Sequence, residues 1–546
     1  MALTGSSIWR RVEHTPRVKV EQTARSDQTE ALSAAALEKP GRESSLAGDA
    51  APAAHLGEFA AREQLARDPG QEFLTRVQLR QGATRQGAAT QRAGKVEQRG
   101  PRLRPNLGHL NFLGEWGQLG GARVHYTWIY ADQVDGGFRR MQADNMGHVE
   151  GKTCVDDVAR AALVYLDEAA SAGGTDSLAR ARGSLEFILG LQADDGEFFN
   201  FVYLDNTRNE KGVTSYKSHG WWGVRALWAM ARGLRVFEQR DPALCARMRS
   251  SIERLLPHLD QELSAQLKGA GGKPGAQGAG PASPPPGLIE GDSAVTSTAA
   301  LGLTELLRAD PGNKTAARLL ATMCDAMAAY QDTTPGDATF GAHYSHPDEH
   351  WHGWGNRQTW ALAEAAKVLH DHPHRGQWIG SARLEADAFF ARLLATHIPR
   401  AIHEGETQDY DQIAYAVGSM VSGLAALHEV TGEERFKGLA TIAGSWFYGN
   451  NPVGRPVYDE VRGVGLDGIR GPGDISDNAG AESTIEALLA IQALGRIGVE
   501  RGELELKRVQ TQPGMARFEG SGGAALELRY RDDGAPSELR ESATTR

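Results

Sequence analysis

The chain has 546 residues, 40% hydrophobic and 23% charged, with 65 Gly, 23 Pro and 3 Cys. At roughly 150 residues per domain this allows one large domain with tails, or a few small ones. A formal net charge of −10, from 59 basic and 69 acidic residues, argues against a nucleic-acid partner, which would need a clustered basic surface. No run of ~18 apolar residues reaches across a bilayer, so no membrane partner is expected either.

In chain order, residues 1–105 come first. They hold few aromatics and no sustained apolar period, a composition that cannot bury enough surface to offset chain entropy. This predicts a mostly disordered stretch, with one helix near 54–67. The first eleven residues lack an apolar signal core. Cys154, Cys245 and Cys324 are odd in number and far apart, so they form neither a disulfide framework nor a metal knuckle. A reducing, cytoplasmic setting is the expectation.

From 106 to 500 the pattern changes. Apolar residues recur at i, i+3, i+4 and i+7 over 155–170, 177–192, 219–239, 242–267, 292–309, 314–331, 355–371, 378–396, 412–431, 433–448 and 479–498. Many of these segments are rich in Ala and Leu, which favour helices. They arrive in pairs joined by short links such as Thr431-Gly432-Glu433 or Asp310-Pro311-Gly312, where Gly and Pro punctuate the chain. Longer links between pairs carry aromatics, acids and amides. A twelfth helix near 128–139 would complete six hairpins. The predicted class is therefore all-α, an (α/α)6 toroid whose long loops gather at one end and form a cleft. A Gly/Pro-rich run at 269–287 reads as a flexible insertion. Residues 501–546 read as an extension with a short strand pair and a polar tail.

Four groups of residues could carry chemistry. Asp156 and Asp157 open the helix that starts at 155, with Arg160 one turn on. One aspartate could cap and the other favour the helix dipole; alternatively the two position and activate a water. Glu482 lies in the first turn of the last strong helix, just after Asp474, Asp477 and Asn478. It is the general-acid candidate, against a simple dipole role. Tyr216, His219, Trp221 and Trp222 open one helix, and His350, Trp351, Trp354, Asn356 and Arg357 open another. Flat aromatic faces suit sugar rings and polar groups their hydroxyls, so these are substrate-binding candidates; Trp228 and Trp360, inside helices, read as core. The histidines at 343, 346, 350 and 352 match no metal-ligand spacing, and no His-Glu-x-x-His helix occurs, so no metal is expected. The G-x-G-x-x-G at Gly463, Gly465 and Gly468 follows no β-α-β unit and reads as a turn.

The stretch Gly449-Asn450-Asn451-Pro452-Val453-Gly454-Arg455-Pro456-Val457-Tyr458 resembles the G-[DN]-N-P-x-G-x-S-Y segment of glycoside hydrolase family 9. Asn478-Ala479-Gly480 is similar to the run that opens that family's last helix, and Cys154-Val155-Asp156-Asp157 to its early acidic motif. The resemblance implies an (α/α)6 toroid that hydrolyses a glycan, with an early aspartate as base and a late carboxylate as acid. It also places Asn451 and Arg455 at the substrate. The chain departs from the family in two respects: its aspartates are adjacent rather than spaced as D-A-G-D, and Glu482 follows the Asn-Ala-Gly run instead of preceding it. Asp474 is accordingly the reserve acid. A bound Ca2+ belongs to the resemblance alone, because no acidic loop of ligand spacing occurs; no other cofactor is expected.

The leading expectation is a glycoside hydrolase acting on a carbohydrate polymer or oligomer, with Asp157 or Asp156 as base and Glu482 as acid. A lyase or sugar epimerase using Tyr216 with His219, or Tyr344 with His350, is the alternative; Arg160, Lys217, Arg357 and Arg455 would suit a uronate. A non-catalytic carbohydrate-binding toroid is the third. Nothing in the sequence indicates an oligomeric state.

Overall fold

All eleven predicted helical segments are helical in the computed structural model, which describes residues 103–542 apart from 146–147, 272–282, 348–349, 522 and 524. The helix expected at 54–67, the disorder expected up to residue 102 and the middle of the 269–287 insertion lie outside the described residues. A short helix α1 (Gly108–Leu113) precedes α2 (Val155–Ala172), α3 (Thr175–Gly190), α4 (Trp221–Phe237), α5 (Pro242–Gly269), α6 (Ser293–Ala309) and α7 (Lys314–Ala329). Then come α8 (Gln358–Val368), α9 (Arg375–Leu384), α10 (Ala414–Thr431), α11 (Glu434–Ser445) and α12 (Ala481–Arg496). Helix α9 runs on through a π turn at Glu385–Phe390 into Ala391–Ala395. Local signals place several of the starts. Asp241 accepts from the Leu244 amide ahead of Pro242, Asp292 from those of Ala294 and Val295, and Asn313 from that of Ala316.

The even-numbered helices form the inner ring. Each packs on the next, α2 on α4, α4 on α6, α6 on α8, α8 on α10 and α10 on α12, and α12 returns to α2. The odd-numbered helices lie outside, each against its inner partner. This is the (α/α)6 toroid, and its ring is closed. The inner helices are parallel, because their starts meet in one cluster of side chains and their ends in another.

The cluster at the ends is a circle of ion pairs through all six inner helices. Asp167 pairs with Arg232, Arg232 with Glu305 (3.3 Å), Glu305 with Arg308 (2.6 Å) and Arg308 with Glu364. Glu364 pairs with Lys367 (2.9 Å), Lys367 with Glu429, Glu429 with Arg496 (3.7 Å) and Arg496 with Asp167 (3.9 Å). These groups line a cavity of about 240 Å³. Burial opposes ionisation of Glu305, but Arg232, Arg308 and Arg235 outweigh it and hold the carboxyl down at about 2. Trp228 and Trp360, which also line this cavity, meet edge to face with centroids 5.1 Å apart, and both are buried as expected.

Two expectations are corrected. The segment at 128–139 is no helix: strands β1 (Gly114–Leu119) and β2 (Ala122–Thr127) form one hairpin, and β3 (Tyr130–Val134) and β4 (Gly137–Met141) another. Val134 pairs with Gly137 across Asp135-Gly136, whose φ values of 51° and 79° belong to the two-residue turn that Asp-Gly favours. The sixth outer position is held by α1, which packs on α12. The C-terminal extension is a four-stranded antiparallel sheet rather than one strand pair: β5 (Leu506–Gln512), β6 (Met515–Gly520), β7 (Ala525–Arg529) and β8 (Glu538–Ser542), paired in that order. Ser537, at its last strand, donates from amide and hydroxyl to the buried Asp387 of the α9 extension (3.1 and 2.8 Å). Among the described residues no helix is long and apolar enough to cross a membrane.

Candidate active site at the helix starts

The amino ends of the inner helices converge, and their aligned peptide dipoles favour negative charge there. Asp156 and Asp157 occupy the first turn of α2 behind the N-cap Cys154, so neither is needed as a cap. Glu482 occupies the first turn of α12 behind Gly480. Asp477 and Asn478 do not cap that helix. Instead Asp467 reaches across to accept from the Gly480 amide (2.7 Å) and the Ser483 hydroxyl (2.8 Å). The Ala479 and Ala481 amides donate to carbonyls of Ala131 and Ile129, which locks the start of α12 against β3.

Three arginines organise the carboxylates. Arg160 donates to Asp157 (2.7 Å), to Glu482 (3.1 Å) and to Glu486 (3.0 Å). Arg357 donates to Glu486 (2.6 Å) and to the Tyr415 hydroxyl. Arg225 donates to the same hydroxyl (3.3 Å), and its Nε stands 3.1 Å from Asp156, an ion pair lying off the line of a hydrogen bond. All three guanidinium groups lie within 6 Å of the Tyr415 ring, at 5.5, 5.8 and 4.2 Å.

Exposure divides the acids. Asp157 and Glu486 are enclosed, with side chains 3% and 1% exposed, whereas Asp156 keeps 19% and Glu482 46%. Burial pushes the Asp157 carboxyl up to about 6; Arg160 works against this, and Glu482 and Asp156 add to it. One guanidinium holds Asp157 at 2.7 Å and Glu482 at 3.1 Å. That span keeps their carboxyls below the upper edge, roughly 9.5 Å, of the separation used by inverting glycosidases.

The other candidates lie elsewhere. Asp474 sits in a short hairpin, half exposed, and pairs with Arg470 at 2.8 Å. Tyr216 meets Trp222 edge-on at 5.0 Å, and burial moves its phenol up to about 12. Trp222 is wholly enclosed and donates to the Phe198 carbonyl (2.6 Å), and Trp351 is enclosed against Phe389. Neither presents a face to a sugar ring, because both faces are packed on protein. Trp221 is buried beside Arg225, and Trp354 is stacked on His352 at 4.4 Å. His350 lies beside Tyr344 (5.7 Å) and His403 (5.4 Å), and burial with help from His403 lowers its pKa. His343 is held in the wall between Glu385 (2.9 Å) and Ser381 (2.8 Å). Asn451 organises its own turn, accepting from the amides of Val453 and Gly454 and donating to carbonyls of Trp446 and Arg455; Arg455 itself is exposed. His219 lies between Glu197 and Glu262.

Sequence reasoning missed Arg225, Tyr415 and Glu486. A signal for two of them was present. Glu486 follows Glu482 by four residues on an otherwise apolar helix, and Arg225 stands one turn after Trp221. A charge at a core-facing period is costly and calls for a partner.

No family model matches the sequence, and no curated protein matches it. Solved structures resemble it in fold at low identity. A sugar epimerase from a ruminal bacterium is 15% identical, covers 72% of this chain and 96% of its own, and has a TM-score of 0.48. A glycoside hydrolase family 9 endoglucanase, J30, is 14% identical, with coverage of 67% and 78% and a TM-score of 0.39. An inactive variant of an α-1,6-mannanase of Salegentibacter is 14% identical, with coverage of 65% and 93% and a TM-score of 0.40.

Proposed function

We propose that the chain is a carbohydrate-active enzyme and, within that class, a glycoside hydrolase in which Asp156 and Glu482 share the acid–base work. The observation that carries the reading is the division among four carboxylates gathered by three arginines. Two are buried and hold the arginines in place; the other two, Asp156 and Glu482, keep surface towards solvent. The Asn451 turn and the Asn478–Gly480 run, which resemble glycoside hydrolase family 9, support carbohydrate as the ligand class.

In this reading Asp156, paired with Arg225, takes a proton from the attacking water. Glu482 gives its proton to the leaving oxygen as the glycosidic bond breaks, and the water oxygen completes the new bond at the anomeric carbon. Arg160 is divided among Asp157, Glu482 and Glu486. Glu482 therefore receives only part of that positive charge. Asp157 and Glu486 position Arg160 and Arg357 and do not touch substrate.

The test is reducing-sugar release from β-glucans, xylans, mannans and uronate polymers, with the wild type beside Asp156→Asn and Glu482→Gln. A general acid or base contributes about 10²–10⁴-fold, so each variant is expected to lose at least a hundredfold with its fold intact. Release that survives both substitutions refutes the assignment. One observation favours a second reading, proton abstraction by a lyase or epimerase: His350, with its lowered pKa, is neutral at pH 7 and can accept a proton. An unsaturated, ultraviolet-absorbing product or an epimerised sugar, abolished by His350→Asn, would select it.

A further inference from the structure

A second cluster of titratable groups lies on the loop that leads into α4. Its members come from three places: Glu197 after α3, His219 two residues before α4, and His258 with Glu262 one turn apart on α5. One ligand atom from each of Glu197, His219 and His258 lies within 4.8 Å of the others. We propose that these three residues bind a divalent transition-metal ion, Zn2+ by the chemistry of the donors, which ties the loop before α4 to the outer helix α5.

Hydrogen bonds behind the ligands support this assignment. His219 uses Nε2 on Glu262 at 2.8 Å, and His258 uses Nε2 on the Asp195 carbonyl at 2.7 Å. A metal-bound histidine characteristically donates its other ring N–H to a carboxylate or a backbone carbonyl. Both rings have such an acceptor within reach of Nε2, so with the hydrogen on Nε2 each Nδ1 is available to a metal. The Nδ1 of His219 stands 3.1 Å from a Glu197 oxygen. A positive charge belongs between these two atoms, supplied by a proton on Nδ1 or by a metal ion in its place. A metal ion would engage His258 as well, whose ring stacks on His219 at 5.8 Å. Zn2+ takes nitrogen at about 2.0–2.1 Å and carboxylate oxygen at about 2.0–2.2 Å, so tetrahedral ligand atoms stand roughly 3.3 Å apart, and the 3.1 Å between His219 Nδ1 and the Glu197 oxygen matches this.

The second ring of groups is also built. Glu262 is held through its other oxygen by the Glu290 amide (2.5 Å) and Gln266 (3.1 Å). Among the described residues the carboxylates of Asp195, Glu197 and Glu262 meet one ammonium here, Lys217, which pairs with Asp195 and stands 3.8 Å from Glu197. That imbalance favours a doubly charged cation. Two imidazoles and one carboxylate select zinc over calcium or magnesium, which prefer all-oxygen sites. The three ligands are half-buried rather than sealed, so an ion can enter and a water can complete its shell.

The experiment uses the untagged full chain, stripped with a chelator and titrated with Zn2+ against a chromophoric competitor, beside His258→Asn and Glu197→Gln. His258 lies on the outer face of the toroid, so its replacement should leave the fold intact, as circular dichroism would register. The expected result is one zinc per chain, with affinity at least tenfold weaker in each variant. Co2+ loading of the wild type should give the intense visible bands of a four- or five-coordinate ion, absent from His258→Asn. No zinc uptake by the wild type overturns the proposal. So does uptake of equal strength in the wild type and both variants, which would place the ion elsewhere.

Discussion

Arg160→Met tests the central cluster most directly. The substitution keeps most of the side chain's length and removes the guanidinium that serves Asp157, Glu482 and Glu486. Glu486 retains Arg357 at 2.6 Å, and Glu482 is solvated, so the damage falls on Asp157. Breaking one side of a buried ion pair costs about 3–5 kcal/mol, because the remaining charge is left without a partner. The cost should depend on pH. In the wild type the Asp157 carboxyl stands at about 6 against an ordinary 3.8. A carboxyl raised in the folded state adds stability below its unfolded value and loses it as pH rises through the folded one. The wild type should therefore give up roughly 2 kcal/mol from this group between pH 4 and pH 7.

Without Arg160 the same carboxyl rises further, and the decline continues to higher pH. The variant therefore loses more stability at pH 8 than at pH 5, relative to the wild type. Urea midpoints at pH 5 and pH 8 measure this, and Arg160→Met combined with Asp157→Asn should remove the excess. A loss below about 1 kcal/mol at pH 8, or the same loss at both pH values, would refute the view of Asp157 as a buried charge held by Arg160.

Two further outcomes follow from the packing. Glu305 lies at the ring of ion pairs with its carboxyl held down to about 2, so its stabilisation is complete above pH 4.5 and is lost as pH falls towards 2. Glu305→Gln should cost about 3 kcal/mol at pH 7 and progressively less below pH 4, measured by urea midpoints; equal costs at pH 7 and pH 3 would contradict it. Gly418 brings α10 against α12, where an added Cβ would meet the Glu486 carbonyl oxygen at 2.8 Å. Gly418→Val should cost about 1–3 kcal/mol and displace Glu486 from Arg160 and Arg357, lowering the thermal midpoint and any glycan hydrolysis together.

The sequence by itself determined eleven of the helices. A 3.6-residue apolar period with Gly and Pro punctuation is local information, and all eleven segments that carry it are helical. It also marked Asp156, Asp157 and Glu482, because carboxylates at helix starts stand out in a short window. Local reading failed at 128–139, where Asp135-Gly136 turns the chain into a hairpin although the flanking residues tolerate a helix. Only the tertiary structure decided which acids are buried and which face solvent, since Arg160 reaches Glu482 and Glu486 across more than three hundred residues of chain. It also decided that Trp222 and Trp351 are enclosed rather than open to a ligand, and that Arg225 and Tyr415 belong to the cluster. The physical reason is common to these cases. Helical period follows from interactions within a few residues, whereas burial and ion pairing depend on which helix starts the closed ring brings together.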